Sequence, residues 1–391
     1  MFVDLPAPVE HQDPWFLSGE TRLLSLLRTD LRIAYLYERP DNSTFRYRIH
    51  NMIEVIEATW PEASAAAFFV DDDNALLDKV ADSADIVVIC RARYCQDVNR
   101  FVLRAKRRGI PVVFDVDDLV FDTGYAHLVM DSLAQKGTTE QEWDFWFAYI
   151  GRIGATLRMC DRAITTNPFL AARITDFAGV ETAIVPNFIN QAQLDYSRAI
   201  WDAKQASGYA RDEHLHVGYF SGSPTHIKDF ALVESALAKL LKRFPQVRIR
   251  MVGYLEPAGP LLDHLGRIDR EPFHDYVNLQ RLIGSTEINI APLQDNRFTN
   301  CKSELKYFEA AITGTATVAT PTSTFASAIR HGDNARLAAA HQWEEMITAT
   351  IEDLETHPQL YRDMAERAVA DADLRYGWHQ QGEAIRSALA I

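Results

Sequence analysis

Residues 300–320, NCKSELKYFEAAITGTATVAT, decide the fold class of this chain. They predict a polar loop, a helix that begins near Lys302, a turn at Gly314 and a buried strand over residues 315–320. A short apolar run at residues 288–292 precedes them and predicts another strand. A strand, a loop, a helix and a second strand form the repeating unit of parallel α/β folds.

The same alternation of strands and helices extends over most of the chain in two blocks. Short apolar runs bounded by polar or turn residues are typical of parallel strands that are buried on both faces. The first block predicts strands at residues 31–37, 65–70, 85–90, 111–116, 162–166 and 182–186. The second block predicts strands at residues 215–220, 247–253, 287–291, 315–320 and 335–340.

The two blocks predict an α/β protein with two Rossmann-like, doubly wound domains and a deep cleft between them. Ligands of such sheets bind beyond the carboxyl ends of the strands, so we expect the functional site in the cleft. The predicted parts are an N-terminal arm (1–30), an N-terminal domain (31–190), a polar linker (191–213), a C-terminal domain (214–375) and a C-terminal helix (376–391) that could return to the N-terminal domain.

Composition excludes several classes of protein. The formal net charge of −14 argues against a general nucleic-acid binder, which needs a basic face. The four cysteines lack C-x2-C spacing, which argues against a zinc knuckle or a disulfide framework and for a reducing compartment. No apolar run reaches the roughly 18 residues of a membrane span, and the acidic start does not suit a signal peptide. We therefore expect a cytoplasmic protein, with the inner face of a membrane as an alternative place.

A hydroxyl-rich loop with the sequence GYFSGSPTHIKDF follows the first strand of the second block. Backbone N–H groups of such a loop, with a helix N-terminus behind them, suit an anion such as a diphosphate. The alternative is an ordinary helix cap by Ser223 or Thr225. The candidate anion-binding residues of the loop are Ser221, Gly222, Ser223, Thr225, His226 and Lys228.

This loop resembles that of glycosyltransferase family 4 (group 1), whose members have the GT-B fold. In that family a glycine is followed directly by an arginine and, six residues after the glycine, by a phosphate-binding lysine. Gly222 and Lys228 match this pattern, but Ser223 stands in place of the arginine. The string SGSPTHIKDF is similar to a divergent branch of the family found in bacterial surface-polysaccharide synthesis.

The opening stretch resembles the E-x7-E segment of the same family. Glu309 matches the second glutamate, which in that family holds the ribose hydroxyls of the donor nucleotide, whereas Cys301 stands in place of the first glutamate. Lys302 and Ser303 occupy the loop that faces the donor phosphates in the family, so Lys302 could replace the missing arginine. The alternative is a solvated amphipathic helix with its charged side chains outward, namely Lys302, Glu304 and Lys306.

Three aspartates follow or end the predicted strand 111–116. Asp117 or Asp118 falls where the family often has a histidine near the transferred sugar, so both are candidate catalytic residues, together with Glu309. One alternative is a structural cluster that caps turns or pairs with nearby arginines. Another is a D-x-D metal site formed by Asp115 and Asp117, as in the GT-A fold, although a second α/β block favours GT-B. Arg46 and Arg48, after the first strand, could reach an anionic acceptor or the donor phosphates.

The resemblance implies an enzyme that transfers a sugar from a nucleoside diphosphate sugar to a glycan or lipid-linked glycan hydroxyl, with retention at the anomeric carbon. It implies no metal and no other cofactor. An aromatic helix around residues 143–149 could contact a membrane surface, or could simply belong to the core. The missing arginine and glutamate leave open a catalytically silent GT-B-like binding or scaffold subunit, and a sugar-nucleotide epimerase is a further alternative.

Overall fold

The computed structural model describes residues 1–132, 139–222 and 226–390. In these residues the chain forms two parallel six-stranded sheets flanked by helices, which confirms the prediction of two doubly wound α/β units. The first sheet has the strand order β2-β1-β3-β4-β5-β6 and the second β12-β11-β10-β7-β8-β9. The strands are β1 Leu31–Tyr37, β2 Ala63–Phe69, β3 Ile86–Cys90, β4 Val112–Val116, β5 Arg162–Thr165, β6 Thr182–Ile184, β7 Leu215–Ser221, β8 Val247–Gly253, β9 Ile268–Glu271, β10 Ile288–Ala291, β11 Ala316–Ala319 and β12 Arg336–Leu337.

Helices connect the strands and cover both faces of each sheet. The α-helices are α1 Gly19–Leu26, α2 Asn51–Thr59, α3 Asn74–Ser83, α4 Gln96–Arg107, α5 Ala126–Ser132, α6 Glu140–Leu157, α7 Pro168–Ala178, α8 Gln191–Ala206, α9 Ile227–Ala231, α10 Glu234–Arg243, α11 Tyr276–Ser285, α12 Arg297–Asn300, α13 Leu305–Ala311, α14 Ser323–Ala328, α15 Trp343–Thr356, α16 Pro358–Tyr376 and α17 Gly382–Leu389. A π-helical turn at Arg46–His50 leads into α2, and short 3₁₀ helices lie at Thr123–Tyr125, Gly259–Arg267 and Trp378–Gln380.

The strand prediction missed β9, whose sequence is IDRE. This strand is at the edge of the second sheet and pairs only with β8, so three of its four residues can be charged. A search for apolar runs does not find such a strand, because that signal depends on burial on both faces.

The predicted boundaries of two helices in the second unit also differ from the structure. The apolar spacing of residues 227–244 predicts one continuous helix, but the structure divides this segment into α9 and α10. The helix expected from Lys302 begins at Leu305, because the backbone carbonyl of Lys302 is held by the hydroxyl of Thr324 at 2.8 Å and Ser303 is held by Asn187 at 3.0 Å.

The two sheet units share a buried core. One continuous cluster of apolar side chains includes Val185 after β6, Leu194 on α8 and Phe308 on α13. Phe308 stacks on Tyr376 at the end of α16, with a ring-centroid distance of 4.6 Å. After α16 the chain crosses back to the first unit, where α17 packs against α2 and β6. The carboxyl ends of the two sheets are therefore held close together.

Candidate functional site

Hydrogen bonds between the two units hold the loop before α13 against the first sheet. The side-chain amide of Asn167, after β5, donates to the carbonyl of Cys301 at 2.8 Å. The amide of Asn187, after β6, donates to the hydroxyl of Ser303 at 3.0 Å. Both asparagines are buried. The loop 301–303 is thus fixed where the carboxyl ends of the two sheets meet.

Lys302 reaches across this junction toward the acidic cluster of the first unit. Its Nζ lies 3.6 Å from Oδ1 of Asp118 and 4.7 Å from the ring centroid of Phe298. Two residues that the sequence analysis assigned to different domains are therefore in contact. The ammonium group is held in place by a carboxylate and an aromatic face, at the edge of the loop predicted to face the donor phosphates.

Asp117 lies beside Asp118 in a network with residues from two other loops. Oδ2 of Asp117 accepts a hydrogen bond from the Thr44 hydroxyl at 2.9 Å, and Oδ1 accepts one from Nη1 of Arg91 at 3.1 Å. Arg91 also lies 3.6 Å from Oδ2 of Asp118. Burial raises the pKa of Asp117 and Asp118 adds to this effect, although Arg91 opposes it. A carboxyl group with a raised pKa next to a second carboxylate is suited to hold or accept a proton.

The backbone that presents Arg91 is unusual. Arg91 has a φ of +46°, in the left-handed region that non-glycine residues seldom adopt. Its N–H donates to the carbonyl of Asp115 at 2.9 Å, which places the arginine directly beside the end of β4. Strained backbone of this kind is concentrated at functional sites.

Asp115 takes no part in this open network. Its two carboxylate oxygens accept hydrogen bonds from Nε and Nη2 of Arg48 at 2.7 and 3.0 Å, and both side chains are fully buried. Burial raises the pKa of Asp115 to about 6, although Arg48 opposes this effect. Arg48 also donates to the carbonyl of Val185 at 2.8 Å. Neither Arg48 nor Asp115 is placed to reach a substrate, so the expectation that Arg48 could contact an anion lacks support in this geometry.

Glu309 is buried on α13, and side chains of the first unit and of α8 contact it. The Tyr47 hydroxyl donates to Oε1 of Glu309, Nε2 of Gln193 lies 3.3 Å from the same oxygen, and Nη2 of Arg46 lies 3.5 Å from it. Among the described residues no hydrogen bond reaches Oε2 of Glu309. Nη1 of the buried Arg46 likewise has no hydrogen-bond partner in the described part of the chain. The site around Glu309 therefore has both acceptor and donor capacity that the described protein atoms do not use.

Lys306 points into the site, contrary to the solvated-helix interpretation. It lies one helical turn before Glu309, donates to the carbonyl of Phe220 at the end of β7 and sits 4.6 Å from the ring centroid of Tyr219. Burial lowers the pKa of Lys306 to about 8, although Glu309 and Asp229 oppose this. The structure therefore adds a second lysine beside the loop after β7.

The same interpretation is wrong for Glu304. Its side chain is buried, and the Tyr376 hydroxyl donates to it at 2.7 Å. Burial raises the pKa of Glu304. This residue joins α13 to the end of α16 and contributes to the packing of the second unit.

The loop after β7 begins in close contact with the end of β8. Gly253 has a φ of +100°, and a Cβ atom on it would lie 2.0 Å from the carbonyl oxygen of Ser221, so only glycine fits there. Ser221 is buried, whereas Gly222 is exposed with open space around it. Ser223 and Thr225, both predicted to bind the anion, lie outside the described residues.

His226 and Lys228 follow this loop. Nδ1 of His226 lies 2.8 Å from Oδ2 of Asp229, and the other oxygen of Asp229 accepts from the backbone N–H of Gln294 at 2.9 Å. Burial lowers the pKa of His226 to about 4, so this side chain is neutral at pH 7. Lys228 lies in α9 rather than in a loop and is paired with Asp131 of the first unit; both side chains are largely exposed. Lys228 is therefore less well placed than Lys302 or Lys306 to contact an anion at the loop after β7.

A polar cavity of about 200 Å³ adjoins the Asp117 network on the first unit. It lies at the carboxyl ends of β1 and β3 and includes Thr44 and Arg91, which both bind Asp117. Its walls are formed by Tyr37, Glu38, Asp41, Ser43, Thr44, Arg91 and Tyr149. Hydroxyl, carboxylate, guanidinium and aromatic groups in one small cavity can hold a sugar ring by hydrogen bonds and by stacking.

The sequence analysis missed several of the residues in this site. Arg91, Thr44, Tyr47 and Gln193 carry no motif and come from three separate segments. For Arg91 one signal was present, since it directly follows the apolar strand β3 and so belongs to the carboxyl edge of the sheet. The place of Thr44 depends on tertiary packing within the first unit, and the contacts of Tyr47 and Gln193 with Glu309 depend on how the two units pack together. Local sequence patterns encode neither.

The aromatic helix of the sequence analysis is α6. Trp143, Trp146 and Tyr149 pack against the core, whereas Phe145 and Phe147 are exposed. None of the described helices has the length and apolar character of a membrane span. Within the same residues no group of three or more His, Cys, Asp or Glu side chains is arranged to hold a metal ion.

Comparison with known proteins gives the fold and a family match for part of the chain. Residues 214–356 match the model of the family described as glycosyl transferases group 1. No curated protein matches the chain. Anabaena Alr3699/HepE, solved in complex with UDP, is similar over 92% of this chain and 100% of its own, with a TM-score of 0.60 and 15% identity.

Two further structures are similar to the chain over nearly the same length. Sucrose-phosphate synthase from Thermosynechococcus elongatus covers 92% of this chain and 99% of its own, with a TM-score of 0.58 and 14% identity. WaaG, a glycosyltransferase involved in lipopolysaccharide biosynthesis, covers 91% of this chain and 99% of its own, with a TM-score of 0.57 and 15% identity. The chain therefore has the GT-B fold, and its second unit has the sequence pattern of group 1 glycosyl transferases.

Proposed function

We propose that this protein is a glycosyltransferase that takes its sugar from a nucleoside diphosphate sugar. The observation that carries the proposal is the position of α13, which brings Lys306 to the end of β7 and Glu309 against side chains of the first unit, with Lys302 in the loop before it. Two cations and a carboxylate on one short segment are thus gathered where the carboxyl ends of the two sheets meet. The match of residues 214–356 to group 1 glycosyl transferases and the UDP bound to the similar Anabaena protein support this proposal.

In the proposed reaction Lys302, Lys306 and the loop after β7 bind the donor diphosphate. The bond from the anomeric carbon to the diphosphate breaks, and negative charge grows on the leaving phosphate. Preorganised cations and backbone dipoles stabilise that charge most strongly when water is excluded. Lys228 and His226 border the same loop, and Lys228 contributes to the diphosphate site when its contact with Asp131 opens. No metal is needed for this step.

Glu309 binds the ribose of the donor in this proposal. Its Oε1 is already held by Tyr47, Gln193 and Arg46, so the carboxylate is fixed in orientation. The ribose hydroxyls donate to Oε2, which accepts no hydrogen bond from the described residues. Cys301, in place of the first family glutamate, is buried and cannot replace the contact of that acid with the donor sugar.

Asp117 acts on the acceptor side. The acceptor sugar lies in the cavity of about 200 Å³ that shares Thr44 and Arg91 with Asp117. Its hydroxyl attacks the anomeric carbon from the same face that the diphosphate leaves, as retention in one step requires, and passes its proton to a carboxylate of the pair Asp117–Asp118 as the new bond forms. We propose retention at that carbon, as in the family that the sequence resembles, and a glycan or lipid-linked glycan as acceptor in cell-surface polysaccharide synthesis. The exposed Phe145 and Phe147 are consistent with contact to a membrane surface at its cytoplasmic face.

The first test is binding. UDP, GDP, dTDP and CMP are added in turn, and the thermal unfolding midpoint is measured. At least one nucleoside diphosphate is expected to raise the midpoint, because a ligand that binds only the native state stabilises it by mass action. No rise with any of the three diphosphates at millimolar concentration would contradict the proposal.

The second test separates an enzyme from a silent binding subunit. UDP-glucose and GDP-mannose are incubated with the protein, and released nucleoside diphosphate is measured over time. Glu309→Gln, which keeps the shape of the side chain but removes its charge, should lose most of the turnover while remaining folded. Binding without any turnover in the wild type would favour the binding-subunit alternative. Because water is the only acceptor in this assay, a glycosyltransferase also releases free sugar, so a changed configuration in the released sugar is the result that would favour an epimerase.

A further inference from the structure

Two exposed aromatic side chains, Tyr254 and Phe273, lie in contact on the second unit. Their ring centroids are 5.9 Å apart and the ring planes differ by 30°. Tyr254 is 57% exposed and Phe273 is 43% exposed. Single exposed aromatic residues are common on protein surfaces, but a pair held side by side in solvent has unused stacking area.

This pair lies at the same edge of the second sheet as the proposed diphosphate site. Tyr254 directly follows Gly253, the last residue of β8, and Gly253 pairs with Ser221 at the end of β7. Phe273 follows β9, which pairs with β8. Because neighbouring strands are about 4.8 Å apart, the loop after β9 is roughly 10 Å from the loop after β7.

Sequence proximity and two contacts of Arg46 also link the pair to Glu309. Phe273 lies three residues before Tyr276, the first residue of α11. The guanidinium of Arg46 lies 4.8 Å from the ring centroid of Tyr276, and its Nη2 lies 3.5 Å from Glu309. The aromatic pair is therefore connected both to the loop that would hold the diphosphate and to the carboxylate that would hold the ribose.

We propose that the nucleobase of the donor stacks on the exposed faces of Phe273 and Tyr254. This inference rests on the proposed function, since it assigns the third part of the same nucleotide. A base cannot enter between the rings, because two stacking contacts of about 3.5 Å each would need roughly 7 Å. The base therefore lies on the outer side of the pair and excludes water from it.

Stacking of this kind predicts little discrimination among nucleobases. Every nucleobase has a flat π-face, so an aromatic platform adds affinity with little preference among bases. We therefore expect the pair to contribute to the binding of both UDP and GDP. Inorganic pyrophosphate, which has no base, should be insensitive to the pair.

The experiment measures the affinities of UDP, GDP and inorganic pyrophosphate by calorimetry for the wild type and for Phe273→Ala, Tyr254→Ala and Phe273→Tyr. Phe16→Ala, at an exposed aromatic residue of the N-terminal arm, is the matched control. Each aromatic-to-alanine change in the pair should lower the affinity for the nucleotide that the wild type binds by about 5- to 150-fold. This is the loss expected for one base stacked on an aromatic ring. Phe273→Tyr keeps the ring and should bind like the wild type, as should Phe16→Ala.

The outcomes separate this inference from the proposed function. If the wild type binds a nucleotide and both alanine variants bind it equally well, the stacking site is wrong and the proposed function stands. An equal loss of pyrophosphate affinity would also overturn the stacking role, because it would show damage to the phosphate site. If the wild type binds neither of these nucleotides nor dTDP, the proposed function itself fails.

Discussion

Strand β4 ends in two aspartate–arginine pairs that differ sharply in their surroundings. In the first pair, Asp115 and Arg48 have no exposed side-chain surface and are joined by two hydrogen bonds of 2.7 and 3.0 Å. In the second, Asp117 and Arg91 have side chains 12% and 19% exposed and are joined by one contact of 3.1 Å. We call these the sealed pair and the open pair.

Position relative to the end of the strand produces this difference. Successive strand residues point to opposite faces, so positions 115 and 117 project to the same side. Asp115 is still within β4 and pairs with Cys90 and with Ile164, whereas Asp117 lies past the last strand residue. The sealed pair therefore uses its hydrogen-bonding capacity within the fold, while the open pair shares its arginine with Asp118 and adjoins a cavity. The difference favours a structural role for the sealed pair and is consistent with the proposed substrate role of the open pair.

Removing Asp115 should give the largest effect. Asp115→Ala leaves the buried Arg48 without its partner, and breaking such a pair costs about 3–5 kcal/mol of unfolding free energy. Chemical denaturation followed by circular dichroism measures this loss. Asp117→Ala is the matched control and should lose much less stability, because Arg91 keeps Asp118 as a partner. Similar losses in the two variants would break the distinction between the pairs.

The rate of sugar transfer should depend more on the open pair than on the sealed pair, the reverse of their order in stability. Asp117→Asn should lower the rate of sugar transfer by about 10²–10⁴, the range for a positioned acid–base group, with little change in donor affinity or stability. Steady-state rates at saturating donor measure this effect. Asp118→Asn is made in parallel, since the two carboxylates share Arg91. Near-normal rates in both variants would show that this cluster is structural and that the reacting group lies elsewhere.

The contrast between the pairs also shows what sequence patterns can predict. The apolar run before Asp115 was enough to place the strand and the cleft, because burial on both faces leaves a clear signal in a parallel strand. The family resemblance placed Lys302 in a loop that faces the donor phosphates, and in the structure this lysine contacts Asp118 of the first unit. What the pattern could not predict is which of the adjacent acids has a buried partner. That partner, Arg48, lies 67 positions away along the chain.

The same limit applies around α13. One alternative was a solvated face formed by Lys302, Glu304 and Lys306. Glu304 and Lys306 instead turn inward, as does Glu309. The burial of Lys306 and Glu309 follows from the contact with β7 and from the packing of Arg46 and Tyr47 against the second unit. Such contacts depend on the mutual placement of two domains and have no local periodicity.

The lysines of the proposed diphosphate site should have intermediate effects. Lys302→Met and Lys306→Met should each weaken nucleoside diphosphate binding by about 1–3 kcal/mol, the value of a hydrogen bond to a charged group. Lys228→Met should have a smaller effect, because this side chain is 42% exposed and already paired with Asp131. Lys239→Met, at an exposed lysine of α10, is the control. Calorimetric titration with UDP and with uridine distinguishes a phosphate contact, which affects only UDP, from a general loss of the site.

The pH dependence of binding should sharpen the assignment of Lys306. Its pKa is lowered by burial to about 8, so its positive charge is present at pH 7 and is lost as the pH rises through about 8. The diphosphate is already fully ionised there, since the last phosphate pKa is about 6. Affinity for UDP should therefore fall between about pH 7 and pH 9. The fall should be absent in Lys306→Met; a fall of the same size in that variant would assign the titration to another group.

Metal removal should have the smallest effect of all. A D-x-D metal site would need free oxygens on both Asp115 and Asp117. In the sealed pair both oxygens of Asp115 accept hydrogen bonds from Arg48, so metal binding there would require breaking a buried ion pair. Transfer activity should therefore be unchanged by EDTA and should not increase with added Mn²⁺ or Mg²⁺. Activity abolished by EDTA and restored by Mn²⁺ would mean that the sealed pair opens during turnover, and the two pairs would then act together as one site.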